Sequence, residues 1–344
     1  MRKRFYNECA RTIQQETCAM KAAIRGETGL VFAEMEIPRP KATEILVKVR
    51  ASSLNRADLS LVDGKAHGTA GGTGTPLGLE WAGDVVEIGE DVTAYKVGDR
   101  VMCSGLGGFA EYAVTDWRRA FPFPAEEMDY ETGACLSVAL RTTHTAMRHL
   151  AGLEAGQTVM VLGASSGVGL MALQVAKHFG ASLVIGTSTK PDRRARLAEF
   201  GADIALDSND PNWVKAVLEH TEGRGVDLLV DFLAGPFIND SMRAVKIGGR
   251  IVNIGRMAGE SGEFDFDLHS LRRIQYLGMT FRTRTVEDFG VIAERVQRDF
   301  WPALRQGQLR LPIDARLPLD RVAEACEMMR RNTHFGKIVL TQHA

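Results

Sequence analysis

Residues 158–169 constrain this chain more than any other stretch. Thr158-Val-Met-Val-Leu162 is a continuous apolar run too short for a helix, which marks a strand buried on both faces. Gly163-Ala-Ser-Ser-Gly-Val-Gly169 follows, and then Ala172, Val175, Ala176 and Phe179 fall at helical spacing on one apolar face. A glycine-rich turn in that setting lets a pyrophosphate approach the backbone and meet free N–H groups at a helix N-terminus. The strict G-x-G-x-x-G spacing reads Ala164-x-Ser166-x-x-Gly169 here, so the glycines alone are a weak signal and the flanking elements carry the assignment.

Those elements repeat. Strands are predicted at 183–186, 204–206, 227–231 and 250–254, alternating with helices at 193–200, 213–220 and 238–244. That alternation predicts an α/β fold with a doubly wound parallel sheet. Upstream, residues 22–124 read differently: 44–50, 82–88, 97–102 and 109–114 are short strands punctuated by Gly and Pro, a compact and mostly β domain. Residues 133–150 have helical periodicity, and the chain closes with a helix at 322–330 and a strand at 337–341. At 344 residues, two domains fit better than one.

Composition removes several classes. There are 42 Lys+Arg against 43 Asp+Glu, a net charge of −1, which argues against a polyanion binder. No uncharged apolar run has the length of a membrane span. Five cysteines without a C-x-x-C pair argue against a disulfide framework or a cysteine-rich zinc site, and point to a reducing compartment, hence the cytoplasm. Met1-Arg-Lys-Arg4 leads into a polar stretch with no apolar core, so residues 1–19 are predicted to be a disordered extension rather than a secretory signal, with a short docking helix as the alternative.

After the strand ending near Thr187, the segment Ser188-Thr-Lys190-Pro-Asp-Arg193-Arg194 places no carboxylate at the strand end, where an NAD-binding domain holds the adenosine ribose. Hydroxyls and cations there suit a 2′-phosphate, so NADPH is favoured over NADH, the rival reading being cations on a solvated helix start.

Ser52-Ser-Leu-Asn-Arg-Ala-Asp-Leu59, Pro76-Leu-Gly-Leu-Glu80-Trp-Ala-Gly83, Val97-Gly-Asp-Arg-Val101, Gly108-Phe-Ala-Glu-Tyr112, the turn at 165–169 and Gly336-Lys-Ile-Val-Leu340 occur in an order that resembles the medium-chain dehydrogenase/reductase superfamily. Within it, the chain resembles the zinc-free, zeta-crystallin-like quinone oxidoreductase branch from about Met20 to Thr341. The resemblance implies a GroES-like β domain (20–144 and 308–344) beside a Rossmann NADPH-binding domain (145–307). It also implies a homodimer through the Rossmann sheet edge.

Zinc alcohol dehydrogenases of this superfamily carry a Cys near the Asn55 segment and a His before the Glu of a Gly-His-Glu motif. Here the motif reads Gly78-Leu79-Glu80, and the four-cysteine lobe is missing between Val101 and Phe109. His67 and His144 lack a partnering spacing, so no metal is expected. Without a Lewis acid the chemistry shifts towards reduction of an activated acceptor. The resemblance implies Asn55 as an active-site amide that orients the nicotinamide ribose or the substrate carbonyl. Ser60 stands where some members carry a Tyr. Asp58 reads equally as a helix cap or a catalytic acid. Thr145 matches a cofactor-contacting Thr; Ser166, Gly167 and Val168 match the pyrophosphate turn; Ser188, Lys190, Arg193 and Ser208 fall around the 2′-phosphate, Ser208 replacing a stacking Tyr. Gly255-Arg256-Met257 aligns with a loop beside the nicotinamide. Thr280-Phe-Arg282-Thr-Arg284 resembles a strand at the dimer edge that sends an Arg towards the cofactor, a salt-bridged sheet edge being the alternative for Arg282 and Arg284.

Gly71-Gly-Thr-Gly74 precedes Pro76 with no following helix and reads as a loop, and Trp81 reads as packing. The expected activity is NADPH-dependent reduction of a quinone or α,β-unsaturated carbonyl. The alternatives are a 2-enoyl thioester reductase and a non-catalytic, crystallin-like NADPH-holding protein.

Overall fold

In the computed structural model, which describes residues 19–65, 68 and 71–342, the apolar run Thr158–Leu162 is the centre of a six-stranded sheet. Ile204–Leu206, Leu183–Thr187, Thr158–Leu162, Val226–Asp231, Val245–Asn253 and Gln275–Gly278 lie side by side in that order, all parallel. Val159, Met160, Val161 and Leu162 are inaccessible because helices cover both faces. Helix Gly167–His178 presents Leu170, Ala172, Leu173, Val175 and Ala176 to one face, while Trp213, Val217, Ile238 and Met242 close the other. Burial on both faces is what a strand without polar alternation requires.

The second sheet has seven strands, in the order Ile313–Pro318, Lys337–Thr341, Glu44–Ser53, Glu80–Ile88, Arg100–Ser104 and Ala120–Pro122, with Tyr112–Asp116 pairing off Glu44–Ser53. The chain therefore returns at its C-terminal end to complete a sheet begun near residue 44. A hairpin, Ala19–Arg25 with Leu30–Glu36, lies against it through bridges Ala22↔Ala110 and Ile24↔Pro76. Of the extension expected at residues 1–19, residues 1–18 lie outside the described residues, as does His67, and Ala19 opens the first strand.

Three predicted elements differ in detail. The helical stretch 133–150 is broken into Tyr130–Gly133, Ser137–His144 and a π-helical turn Thr145–Leu150. Glu80 takes the Val138 N–H and the Ser137 hydroxyl, which anchors the middle segment to the neighbouring sheet. The helix at 193–200 divides into Pro191–Ala195 and a 3₁₀ turn, Leu197–Phe200. The edge strand placed at 280–284 is instead Gln275–Gly278, and Phe281 to Thr283 form a bend and turn. Helix Val286–Arg305, not foreseen, packs against the turn Trp117–Arg119 of the other half, where Phe289 meets Arg119. No helix among the described residues is long and apolar enough to cross a membrane.

Candidate active site

A cleft of about 1490 Å³ runs between the two sheets. One wall is the turn after Thr158–Leu162. Gly163 adopts φ +86°, a conformation that side chains resist, and its N–H donates to Thr187 Oγ1 at 2.9 Å. Ala164 N–H donates to the Thr187 carbonyl at 2.8 Å, so the neighbouring strand pins the turn. Ser166 caps helix Gly167–His178, its Oγ accepting from Gly169 N–H at 3.1 Å. The Gly167 and Val168 amides of that first turn have no carbonyl four residues back within the helix, whereas Leu170 N–H already donates to the Ser166 carbonyl at 2.8 Å. Gly167 is required by a close approach: a Cβ there would sit 2.7 Å from Lys337 Cδ, on the strand that returns from the other half. Ser166 and Gly336 form a parallel bridge at the same point.

Arg56, His334 and Lys337 line this part of the cleft. His334 Nδ1 is buried without a partner, and burial beside Arg56, Arg193 and Lys337 lowers its imidazole to about 4. An unpartnered nitrogen among cations, next to free amides, fits a phosphate-bearing ligand such as a dinucleotide.

The opposite wall is built on Glu80, which is inaccessible to solvent. Its carboxylate accepts from Lys337 Nζ (2.7 Å), Asn55 Nδ2 (3.0 Å), Ser53 Oγ (2.8 Å), Ser137 Oγ (3.2 Å) and the Val138 N–H (2.7 Å). Lys337 also donates to Asn55 Oδ1 at 3.1 Å. Asn55 begins helix Arg56–Val62, where its N–H donates to Asp58 Oδ2 at 2.7 Å; Leu79 N–H donates to Asp58 Oδ1 at 3.0 Å. Asp58 is buried, and burial pushes its carboxyl up to about 7 despite those donors. It acts as a cap and does not line the cleft.

A third group of lining residues comprises Ser104, Val114, Asp116, Arg119, Arg141 and Phe289. Asp116 is paired with Arg118 at 2.8 Å and accepts from the Thr43 hydroxyl. Arg119 lies over the Phe289 ring, 4.2 Å from its centroid.

The fold brings most of the predicted residues to this cleft: Asn55, Ser60, Ser166, Gly167, Val168, Ser188, Ser208, Gly255, Arg256, Met257 and Arg282 all line it. Four do not. Thr145 is fully buried with its hydroxyl unpartnered, and Thr142, one turn earlier on the same helical path, faces the cleft instead. Lys190 is exposed as the N-cap of Pro191–Ala195 and lies off the lining. Arg193 is 7% exposed because its guanidinium holds the Asn332 carbonyl at 2.5 Å. Arg284 packs near Phe281 with Nε buried. Asn55 is present but already engaged: its amide binds Glu80 and Lys337, which leaves one N–H for a ligand.

Sequence reading missed Arg56, Arg119, Arg141, Thr142, His334 and Lys337. Arg56 and Lys337 lie within the family motifs 52–59 and 336–340, which is the available signal; Arg119, Arg141, Thr142 and His334 carry no local pattern. Among the described residues no three His, Cys, Asp or Glu side chains converge, and His144 is bonded to Asp299 at 2.7 Å away from the lining. Gly71, Thr73 and Gly74 lie off the cleft, with Gly74 N–H on the Arg25 carbonyl, and Trp81 is core.

A parallel dinucleotide-type sheet facing a GroES-like β half across such a cleft defines a nicotinamide-dependent oxidoreductase. Residues 41–125 match the family described as alcohol dehydrogenase GroES-like domain, and residues 167–297 match that described as zinc-binding dehydrogenase. The chain is 28% identical to the quinone oxidoreductase of Homo sapiens over 313 residues, 90% of this chain and 92% of that protein. It is 33% identical over 308 residues to erythronolide synthase EryA2 of Saccharopolyspora erythraea, covering 88% of this chain and 8% of that much longer protein. A crystal structure described as a probable oxidoreductase from Mycobacterium abscessus superposes with a TM-score of 0.83 at 28% identity, over 95% of this chain and 100% of the other. The chain belongs to the medium-chain dehydrogenase/reductase superfamily, in its quinone oxidoreductase branch.

Proposed function

We propose that the chain reduces a quinone or an α,β-unsaturated carbonyl with NADPH, by direct hydride transfer and without a metal. The observation that carries this reading is the composition of the cleft. It joins a phosphate-type turn to a wall of Leu79, Leu106, Phe232, Met279, Phe281 and Phe289, with no converging set of metal ligands among the described residues. Apolar and aromatic walls suit a flat conjugated acceptor, which is electrophilic without a Lewis acid. When bound, the dihydronicotinamide supplies the hydride. Ser166, Gly167 and Val168 would hold the pyrophosphate, with Arg56 and Lys337 as nearby cations, and Asn55 would offer its remaining N–H to the nicotinamide side.

The preference for NADPH rests on Ser188, Thr189 and Ser208, hydroxyl residues that line the cleft where the adenosine ribose would lie. The acids lining the cleft, Glu44, Asp116 and Glu260, belong to other segments. A 2′-phosphate is compatible with hydroxyls and repelled by a carboxylate. A second acceptor class, 2-enoyl thioesters, is supported by cationic residues along the same cleft, Lys41, Arg56, Arg119 and Arg282.

The experiment is NADPH oxidation, followed by absorbance, against quinones, enones and 2-enoyl thioesters, with NADH in parallel. Turnover with NADPH well above NADH supports cofactor and reaction class together. Tight NADPH binding with no acceptor turned over would move the reading to a non-catalytic, cofactor-holding protein.

The homodimer belongs to the same proposal. Gln275–Gly278 is paired on one side only, and Phe266, Leu271 and Tyr276 near it are 78%, 67% and 40% exposed. An unpaired edge with apolar neighbours favours two-fold sheet extension.

A further inference from the structure

Arg141 is a buried cation that makes no ion pair with a described carboxylate. Its side chain is 1% exposed, on helix Ser137–His144, one turn beyond Val138, whose N–H is held by Glu80. Nη1 donates to Ser104 Oγ at 2.5 Å, and the guanidinium lies 4.0 Å from the Phe121 ring centroid and 5.5 Å from that of Phe289. Nε and Nη2 have no partner. The titratable groups facing it do not supply a dedicated counter-ion: burial keeps Cys103 and Tyr95 neutral, Arg119 is another cation, and Glu80, whose charge favours the Arg141 cation, is itself paired with Lys337. Burial lowers Arg141 to about 9, so it remains charged near neutral pH. Arg141 nonetheless lines the cleft, together with Ser104, Thr142 and Phe289.

A buried cation with two idle donors is costly unless an anion completes it. Nε–H and Nη2–H lie along one edge of the planar guanidinium, the edge that grips oxygen anions. We propose that this edge of Arg141 binds the acceptor oxygen that becomes negatively charged during reduction. The inference rests on the reading of the chain as a quinone or enone reductase and adds the residue that would make the acceptor electrophilic.

In that reaction the dihydronicotinamide loses a hydride and is oxidised. The new C–H bond forms at the conjugated carbon, the C=C pair shifts, and the carbonyl π pair moves onto oxygen. The oxyanion later takes a proton from solvent, and Arg141 keeps its own. A neutral acceptor leaves the guanidinium edge poorly satisfied, whereas the developing oxyanion satisfies it. The interaction is therefore stronger in the transition state than in the ground state, which is the condition for catalysis. Shielding of Nε and Nη2 from bulk water increases the effect.

The test uses 4-nitrophenol, whose phenolate imitates the oxyanion and whose absorbance reports its own ionisation, bound to the full chain loaded with NADP⁺. Wild type is expected to favour the phenolate over the phenol by about tenfold or more relative to water, and Arg141→Gln to erase that preference while changing NADPH affinity less than about twofold. With a neutral quinone, Arg141→Gln is expected to lower kcat by about 100-fold or more with little change in KM. Arg141→Lys, which keeps the charge and loses the fork, should retain part of both effects.

An unshifted ionisation in wild type, no binding at millimolar concentration, or a shift retained in Arg141→Gln would overturn the assignment. Benzoate binding without a nitrophenol shift would also overturn it, and assign the edge to a carboxylate that the substrate already carries. If no acceptor is turned over but the shift is present and depends on Arg141, the oxyanion site stands and the reductase reading falls. If Arg141→Gln does not fold, Arg141→Lys decides the matter: a shift reduced from the wild-type value supports the assignment, and an undiminished one overturns it.

Discussion

Lys337 Nζ lies 2.7 Å from Glu80 Oε2, and the two side chains are 4% and 0% exposed. The pair joins the returning C-terminal strand to the strand Glu80–Ile88, and the Lys337 stem lies against Gly167 of the phosphate-type turn. One buried ion pair thus sets the position of the turn relative to the opposite wall. Removing one member leaves an uncompensated buried charge. Lys337→Met is expected to destabilise the chain by ~3–5 kcal/mol in denaturant unfolding. A loss below ~1 kcal/mol would show that the carboxylate is satisfied by its other donors.

Asp58 has a folded-state pKa of about 7, raised by burial above its ordinary value. The native state therefore holds its proton more tightly than the unfolded chain. The associated stability is fully present below the unfolded pKa and is lost as pH rises through about 7. Relative to Asp58→Asn, wild type should lose unfolding free energy between roughly pH 4.5 and 7, with a slope approaching ~1.4 kcal/mol per pH unit. Parallel profiles for the two proteins would refute the assignment.

Thr189 is exposed and lines the cleft beside Ser188. Thr189→Asp is expected to weaken NADPH by about tenfold or more while leaving NADH unchanged or tighter, measured by nucleotide fluorescence titration. Arg193→Ala should act differently. Because Arg193 is bound to the Asn332 carbonyl, its loss should affect both cofactors equally, through the loop that carries His334. A loss confined to NADPH would restore Arg193 to the 2′-phosphate.

Tyr276→Lys combined with Leu271→Lys, on and beside the free edge Gln275–Gly278, should shift the chain to monomers in sedimentation experiments. Unchanged assembly would place the dimer interface elsewhere.

Periodicity located the elements that are decided locally. Trp213–His220, Val322–Arg330 and Lys337–Thr341 are found at the residues expected, because amphipathic spacing and short apolar runs act over a few neighbours. Helix Val286–Arg305 was missed although its apolar positions repeat, since Phe289, Ile292, Ala293, Val296 and Phe300 are interleaved with charges. The resemblance of 280–284 to a family edge strand placed that strand too late in the chain: the edge is Gln275–Gly278, and Phe281 to Thr283 turn away from it.

The phosphate-type turn was legible for the same local reason: strand, glycines and helix are contiguous in the chain. Arg193 and Lys190 show the limit of that reasoning. Both stand close in sequence to the expected phosphate, but the Asn332 carbonyl, 139 residues away, captures Arg193. The sequence by itself determined the two-sheet architecture, the turn and the family, all written in short-range patterns. Only the tertiary structure decided which cations border the cleft and which acids neutralise them. A side chain's partner is chosen by proximity in space, and the chain brings Arg56, Arg141, His334 and Lys337 to one cleft from segments nearly 300 residues apart.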